Sequence, residues 1–326
     1  MTFTFHGGRL SEARSAYAEA SRPWLDLSTG INPHAWPGIA DIDIDWRALP
    51  DERALIALET AAATYFGTHA ANVCAVPGTE IGLRLVGSMI EGPSVHVGPG
   101  YRTHTAMLPG ARAIRTEELP EIRDASILLA NPNNPDGHVT SSSLLDAHLD
   151  RLKGTPHWLI VDEAFADTQP AISIADRIDD ARPLILFRSF GKFFGLAGVR
   201  LGFVLGPQAL IERVHARLGS WPVSSAALAI GTAAYRDRAW IEAMRDRLRA
   251  EAEALNRVLL RHGLQPQGDC PLFRLIQAPD APALFDHLAR QAILTRPFDQ
   301  DSHRLRIGLP GSDEALARLD RALAYG

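Results

Sequence analysis

Short apolar runs alternate with helix-forming segments through the middle of this chain. The runs are bounded by turn residues and are mostly apolar on both faces, which is the pattern of strands that helices cover on both sides. Between them lie amphipathic stripes, such as Ile81, Leu85 and Met89 at every fourth position. The alternation predicts an α/β fold with a mainly parallel sheet. The predicted strands are residues 73–76, 94–97, 111–115, 126–130, 157–161, 184–188 and 201–205.

The C-terminal part of the chain follows a different pattern. Residues 224–261 are rich in Ala, Arg and Glu and contain no Pro, so they predict one long helix. Beyond Gly263, strand-like and helical segments alternate again, which predicts a smaller α+β domain. These segments are residues 272–276, 282–291 and 304–309, followed by a helix that begins at Ser312.

The composition limits the possible classes of function. With 326 residues and 46% hydrophobic content the chain can bury a large core, and its formal net charge of −5 gives no broad attraction to nucleic acid or to an anionic membrane. Cys74 and Cys270 lie far apart, and the histidines show no metal-ligand spacing, so we expect no disulfide framework and no metal. No apolar segment is long enough to span a bilayer, and residues 1–8 lack a secretory pattern. We therefore expect a cytoplasmic protein whose ligands bind in a local pocket.

The segment SFGKFFG, residues 189–195, places Lys192 directly after a predicted buried strand. Because lysine is strongly hydrated, a lysine among Phe and Gly residues has lost part of its hydration. Such a lysine has a lowered pKa and can attack an aldehyde as a nucleophile. A lysine that extends along the surface to reach water would give the same sequence. This segment alone leaves both interpretations open.

Polar residues also follow two neighbouring predicted strands. Ligands of open α/β sheets bind beyond the carboxyl ends of the strands, where these residues would lie. Asn134 belongs to the segment NPNNPDG, residues 131–137, and Asp162 ends the next strand. A carboxylate in this place can face a protonated ring nitrogen, and an amide beside it can donate a hydrogen bond to a phenolic oxygen.

A phosphate site is predicted at the start of one helix. Gly78, Thr79 and Glu80 open this helix directly after the strand-like residues 73–76. The first N–H groups of a helix have no partner within the helix, so they favour an anion. Ser189 and Arg200 can complete the site, because a hydroxyl and a planar guanidinium both suit phosphate oxygens.

Together and in this order, these segments resemble the fold type I pyridoxal-phosphate enzymes of the aminotransferase superfamily, over nearly the whole chain. The resemblance implies that pyridoxal 5′-phosphate is the cofactor and that Lys192 joins to it. It implies that Asp162 pairs with the pyridine nitrogen, so that the ring can act as an electron sink. The cofactor-binding residues that it implies are Gly78, Thr79, Glu80, Tyr101, Asn134, Asp162, Ser189, Lys192 and Arg200.

Among these residues, Tyr101 falls where the family stacks an aromatic ring on the cofactor. Lys192 or Tyr101 would be the proton donor of the reaction, and Asp162 the third catalytic residue. The resemblance also implies a large cofactor domain over residues 46–255 and a small domain from residues 1–45 and 256–326. Enzymes of this fold type generally build their site between two subunits, so a homodimer is expected.

The amino-terminal segment is similar to the start of the threonine-phosphate decarboxylases, a branch of cobalamin biosynthesis close to the histidinol-phosphate aminotransferases. The similarity rests on HGG, residues 6–8, on LDLSTGINP, residues 25–33, and on GLPG, residues 308–311. This branch implies decarboxylation of L-threonine O-3-phosphate to (R)-1-amino-2-propanol phosphate. The substrate-binding residues that it implies are His6, Gly7, Gly8, Asn32 and Arg304.

In this assignment Arg304 and Asn32 would hold the substrate carboxylate, and His6 with the amides of Gly7 and Gly8 would receive the substrate phosphate. Arg306 lies on the same strand face as Arg304 and competes with it, since only the spacing to the next glycine favours Arg304.

Two positions depart from the aminotransferase pattern. Phe165 and Leu49 stand where the family commonly has tyrosines that contact the cofactor. The departure counts against an ordinary transaminase. A histidinol-phosphate-type aminotransferase and a non-catalytic sensor module nevertheless remain as alternatives.

Overall fold

The computed structural model describes residue 3, residues 6–299 and residues 301–324. The described chain forms two compact units. The larger unit consists of Ala35–Asn134 and Val139–Glu242. The smaller unit comprises the described residues up to His34, the short segment Pro135–His138, and those from Ala243 onward.

Helices and strands alternate through the larger unit. The helices of the chain are α1 (Leu10–Ala16), α2 (Glu52–Phe66), α3 (Thr79–Gly87), α4 (Arg102–Met107), α5 (Ser142–Leu152), α6 (Phe190–Phe193), α7 (Gln208–Leu218), α8 (Ser225–Arg236), α9 (Arg238–Arg261), α10 (Ala281–Arg290) and α11 (Asp313–Leu323). The strands are β1 (Leu25–Asp26), β2 (Val73–Val76), β3 (Ser94–Val97), β4 (Arg112–Ile114), β5 (Ser126–Ala130), β6 (Leu159–Asp162), β7 (Leu184–Ser189), β8 (Gly202–Leu205), β9 (Pro266–Gln267), β10 (Phe273–Gln277), β11 (Ile293–Leu294), β12 (Arg296–Pro297) and β13 (Arg304–Gly308).

A seven-stranded sheet forms the centre of the larger unit, in the order β2-β8-β7-β6-β5-β3-β4. Its strands are parallel except β8, which runs antiparallel to both of its neighbours. Strands β5 and β6 are buried along their whole length, as the apolar runs predict. The predicted α/β fold with a mainly parallel sheet is confirmed. Because β5, β6 and β7 run in one direction, the residues that follow them meet at one edge of the sheet.

The smaller unit contains an antiparallel sheet in the order β12-β13-β10-β9 and a two-stranded parallel sheet of β1 and β11. In the first sheet, Arg296 of β12 lies directly opposite Arg306 of β13. The predicted strands 272–276 and 304–309 correspond to β10 and β13 within one residue at each end. Among the described residues, none of the helices combines the length and the apolar character that a bilayer crossing requires.

The prediction of one helix over residues 224–261 is wrong. The helix is interrupted at Asp237, whose φ of −81° and ψ of 73° are not helical. The Asp237 carboxylate accepts hydrogen bonds from the backbone N–H of Trp240 and from the indole Nε1 of Trp36. Aspartate competes with the helical backbone in this way, and here it ends α8 and caps α9.

The two units do not have the predicted boundaries of 45/46 and 255/256. They divide after His34 and after Glu242, and Pro135–His138 belongs to the smaller unit. The second boundary lies within the continuous helix α9, so no linker composition marks it. Within the smaller unit, the carbonyl of Gly137 accepts a hydrogen bond from the backbone N–H of Asp269. This contact between distant parts of the chain could not be read from sequence.

Candidate active site

A cavity of about 150 Å³ in the larger unit gathers most of the predicted cofactor-binding residues. It lies where β5, β6 and β7 end, as the parallel sheet requires. Eight of the nine predicted residues line it, and Gly78, the ninth, precedes the lining residue Thr79. The lining residues are Thr79, Glu80, Leu83, Tyr101, Ala130, Asn134, Asp162, Ala164, Phe165, Ser189, Lys192 and Arg200.

Lys192 reaches this cavity from α6, the short helix that begins directly after β7. Its side chain is half-buried, and its Nζ lies 5.7 Å from the centre of the Phe165 ring. Position 191 is glycine at a close approach to the turn that follows α6, because a Cβ there would lie 2.6 Å from the Cα of Ala197. The sequence left open whether Lys192 lies at the surface, and the structure places it in the cavity wall.

Asp162 ends β6 as a carboxylate that is 5% exposed. Its Oδ1 accepts the backbone N–H of Ala164 at 3.1 Å, and its Oδ2 lies 3.0 Å from Nε2 of His104. His104 is 1% exposed and was not identified from the sequence. A signal was present, because His104 lies in the first turn of α4, three residues after Tyr101, which precedes that helix. The two rings meet edge to face with centres 5.7 Å apart.

Glu80 fixes the position of Tyr101. Its carboxylate accepts hydrogen bonds from the Tyr101 hydroxyl at 3.1 Å, from Thr103 Oγ1 at 2.6 Å and from Arg84 Nε at 2.7 Å. Burial acts to raise the pKa of Glu80, but these donors together lower it below its usual value. Burial raises the pKa of Tyr101, so its phenol remains protonated. Glu80 therefore orients an aromatic ring in the cavity wall.

The start of α3 and Arg200 form a cradle for an anion. Gly78 precedes α3 with a φ of 92°, and a Cβ there would lie 2.5 Å from Nη2 of Arg200. Only glycine allows both this backbone conformation and this approach of the guanidinium. Gly202 is equally constrained, since its Cβ would lie 2.6 Å from the backbone nitrogen of Thr79. The helix N-terminus, Arg200 and the Ser189 hydroxyl fit a phosphate, and the Asp162 carboxylate fits a protonated ring nitrogen.

The predicted substrate-binding residues belong to the smaller unit, where Gly7, Gly8 and Ser28 form a compact group. A Cβ at Gly7 would lie 2.2 Å from the carbonyl oxygen of Ser28, and the backbone N–H of Gly8 donates to Ser28 Oγ at 2.8 Å. Asn32 is 2% exposed, and its Oδ1 accepts the backbone N–H of His34 at 2.9 Å. His6 is half-buried. The turn-rich amino-terminal segments are thus ordered against one another.

The structure distinguishes Arg304 from Arg306. Arg304 is partly exposed and forms an ion pair with Asp301 at 2.9 Å. Arg306 is 3% exposed, donates from Nη2 to the carbonyl oxygen of Ser28 at 2.9 Å and packs on the Phe273 ring at 4.8 Å. Burial and the facing charge of Arg296 lower the pKa of Arg306 to about 9. Arg296 lies opposite Arg306 on the neighbouring strand, and the charge of Asp26 acts in the opposite direction, to raise the pKa of Arg306.

Comparisons with known proteins agree with this geometry. Residues 104–323 match the family described as aminotransferase class I and II. A threonine-phosphate decarboxylase of Pseudomonas aeruginosa is 40% identical over 325 residues, which cover 98% of this chain and 96% of the relative. A threonine-phosphate decarboxylase of Sinorhizobium sp. is 35% identical, with coverage of 98% and 97%. A histidinol-phosphate aminotransferase of Chromohalobacter salexigens is 34% identical over 59% of this chain and 56% of its own length.

Solved structures show the same fold. Histidinol-phosphate aminotransferase from Sinorhizobium meliloti, in complex with pyridoxal-5′-phosphate, superposes with a TM-score of 0.82 at 19% identity, over 96% of this chain and 92% of that one. L-Threonine-O-3-phosphate decarboxylase from Porphyromonas gingivalis superposes with a TM-score of 0.77 at 17% identity, over 91% of this chain and 97% of that one. The chain belongs to the aminotransferase class I and II family, in the branch that includes the threonine-phosphate decarboxylases. The prediction of pyridoxal 5′-phosphate as cofactor is confirmed by this membership.

Proposed function

We propose that this chain decarboxylates L-threonine O-3-phosphate to (R)-1-amino-2-propanol O-phosphate and carbon dioxide, as a step of cobalamin biosynthesis in the cytoplasm. The observation that carries the proposal is similarity over full length to two threonine-phosphate decarboxylases, at 40% and 35% identity. The histidinol-phosphate aminotransferase of Chromohalobacter salexigens aligns over only 59% of this chain.

In this proposal the residues of the cavity hold the cofactor and move protons. Pyridoxal 5′-phosphate supplies an aldehyde and an electron-accepting ring when it is bound. Lys192 would hold that aldehyde, and Asp162 would keep the ring nitrogen protonated. The helix start at Gly78 to Glu80, with Ser189 and Arg200, would hold the cofactor phosphate. Tyr101 and Asn134 would hold the cofactor ring.

The chemical outcome depends on which bond at Cα is broken. An enzyme selects decarboxylation by holding the substrate carboxylate in the orientation that favours loss of carbon dioxide. We assign the carboxylate to Arg306 together with Asn32, rather than to Arg304, because Arg304 is already paired with Asp301. His6 and the amide of Gly7 are the candidate ligands of the substrate phosphate, because the Gly8 N–H already donates to Ser28 Oγ. Lys192 or Tyr101 then returns a proton to Cα.

One assay separates the possible activities. The holoenzyme is incubated with L-threonine O-3-phosphate alone, and separately with histidinol phosphate and 2-oxoglutarate. Carbon dioxide release in the first reaction, without glutamate in the second, is the expected result. Glutamate formation in the second reaction without carbon dioxide release in the first would replace the proposal with a transaminase. If neither carbon dioxide nor glutamate forms, the sensor module is favoured.

Lys192→Ala is the matched inactive variant for this assay. We expect loss of the absorbance band of the lysine-bound cofactor and a fall in turnover of at least ~100-fold, the lower end of what a general acid or base contributes. Circular dichroism checks that the variant is folded. Unchanged turnover would remove Lys192 from the mechanism.

We also propose that the chain is a homodimer. Three large apolar side chains are exposed close together in sequence in the larger unit, namely Trp46 at 79%, Leu49 at 66% and Ile56 at 57%. Such side chains favour an interface with another molecule, and the fold type generally pairs two copies. Analytical ultracentrifugation of the wild type and of Leu49→Glu tests this, with a dimer expected for the former and dissociation for the latter. A monomeric wild type would contradict the proposal.

A further inference from the structure

Three potential metal ligands meet at the edge strand β2, in residues that the proposed function does not use. Glu59 lies on α2, Cys74 on β2 and His215 in the last turn of α7. Cys74 Sγ is 3.6 Å from His215 Nδ1, and His215 Nε2 is 3.5 Å from Glu59 Oε1. One ligand atom from each residue lies within 4.8 Å of the other two. None of the three residues lines the cofactor cavity.

The donor types and their distances suit one metal ion. Zn²⁺ in proteins is bound by thiolate, imidazole and carboxylate at about 2.0–2.3 Å. Donors at such distances and tetrahedral angles lie roughly 3.3–3.6 Å from one another. The two contacts of His215 use opposite ring nitrogens, so either the imidazole or the Glu59 carboxylate must turn for a single ion. His215 is 37% exposed, and its ring has room for this adjustment.

Without a cation the cluster tends to stay protonated. Burial raises the pKa of Glu59 to about 7, although Glu59 Oε1 accepts the backbone N–H of Ala75 at 2.9 Å, and burial raises the pKa of the Cys74 thiol above its usual value. The only described salt-bridge partner of Glu59 is His215, whose own pKa is lowered by burial. A divalent ion would release protons from the thiol and the carboxyl group and would offset the cost of their burial.

His215 also lines a second cavity, of about 410 Å³, whose wall includes the start of α2 and the segment after α7. Glu59 and Cys74 do not line this cavity, so water in it reaches the cluster at the His215 imidazole. Three protein ligands and one position open to water is a common arrangement for zinc.

We propose that Glu59, Cys74 and His215 bind one zinc-type divalent cation, with water as the fourth ligand, and that the ion links α2, β2 and α7. The spacing of these residues in the sequence predicts no metal site, because they come from three separate elements. The inference does not depend on the decarboxylase activity, since its ligands lie outside the cofactor cavity and its test measures metal binding rather than turnover.

The test uses Co²⁺ as a spectroscopic substitute in the cofactor-loaded, chelator-treated protein. Tetrahedral Co²⁺ with a thiolate ligand absorbs in the red region, away from the absorbance of the cofactor. We expect one equivalent of Co²⁺ to give this spectrum and Zn²⁺ to displace it. Elemental analysis of the dialysed protein gives the stoichiometry. Absence of a tetrahedral spectrum, or less than one equivalent bound, would overturn the proposal.

Variants locate the ion. His215→Gln and Cys74→Ala should each weaken Co²⁺ binding by at least ~10-fold. Two matched controls should leave it unchanged: Cys270→Ala removes the other buried thiol, and His262→Gln removes another histidine paired with a carboxylate, that of Asp320. Because His215 is partly exposed, its variant is expected to fold even where the Cys74 variant does not. Equal affinity in His215→Gln and wild type would contradict the site.

Discussion

Two buried guanidinium groups, one in each unit, have opposite surroundings. Arg188 of the larger unit is 2% exposed and forms ion pairs with the carboxylates of Glu163 and Asp167. These carboxylates raise its pKa, although burial alone would lower it. Arg306 of the smaller unit is 3% exposed and faces Arg296, and its pKa is lowered to about 9. Both stack on a phenylalanine ring, Phe66 and Phe273 respectively.

In the proposed function, this difference separates a structural charge from one that binds substrate. A buried cation with two acidic partners is costly to remove, because its loss leaves two buried carboxylates unpaired, and it has no charge left over for a ligand. A buried cation beside a second cation is retained at a cost in stability, which an external anion can offset. The contrast therefore supports the proposal that Arg306 binds the substrate carboxylate.

The largest effect is expected from Arg188→Met. The substitution leaves Glu163 and Asp167 buried without their cation, so it should lower the free energy of unfolding by about 3–5 kcal/mol. Urea denaturation of the holoenzyme measures this. Glu163→Gln in the same chain should recover part of the loss, because it removes one of the buried carboxylates. A loss below about 1 kcal/mol would contradict a structural role for Arg188.

Arg306→Met should have the opposite signature. We expect little loss of stability, because the variant removes a buried charge that faces Arg296. The KM for L-threonine O-3-phosphate should rise about 10-fold to 100-fold, as one charged hydrogen-bonded contact to the substrate is lost. Arg304→Met is the control and should change KM by less than about 3-fold. A larger rise in KM for Arg304→Met than for Arg306→Met would restore Arg304 as the carboxylate ligand.

Thermal unfolding gives a second test of whether Arg306 binds the substrate anion. Because the folded-state pKa of Arg306 is depressed, the folded protein holds this proton less tightly than the unfolded chain does. Its contribution to stability therefore increases as the pH rises through about 9 and is least favourable at neutral pH. Substrate should raise the Tm of the wild type at neutral pH and have a smaller effect on Arg306→Met. An equal shift in both would show that Arg306 does not bind the anion.

Glu59 offers an intermediate case, a buried carboxylate without an arginine partner. Its pKa is raised from 4.5 to about 7, so the folded state binds more protons than the unfolded chain within this range. Stability from this group is present below about pH 4.5 and is lost as the pH rises to about 7. In chelator-treated protein, Glu59→Gln should stabilise the fold by about 2 kcal/mol at about pH 8 and have little effect at about pH 4.5. Equal effects at both values would indicate that Glu59 stays ionised.

The smallest effect is expected at His104, which acts through Asp162. His104→Asn should lower kcat by about 10-fold or less, because Asp162 keeps its backbone hydrogen bond from Ala164. A positioning role predicts a changed pH profile of kcat and a shift in the cofactor absorbance, with KM little altered. A change in stability alone, with both of these preserved, would assign His104 to the core instead.

The sequence identified the residues that line one cavity of the larger unit better than it predicted the smaller unit. The residues at the ends of β5, β6 and β7 could be identified because a parallel sheet brings its carboxyl ends together. His104 was missed because its role depends on a contact with Asp162, 58 residues away. The choice between Arg304 and Arg306 could not be made, because residues two apart on a strand share a face and differ only in their neighbours.

The sequence by itself determined the fold class, the cofactor and the residues that follow the central strands. These depend on periodicity and on motifs that are continuous along the chain. Only the tertiary structure decided where the units divide, that Asp237 interrupts the long helical region, and that Arg306 faces Arg296. It also brought Glu59, Cys74 and His215 together. Burial and the charge of distant neighbours control the behaviour of these groups, and neither is encoded in local spacing.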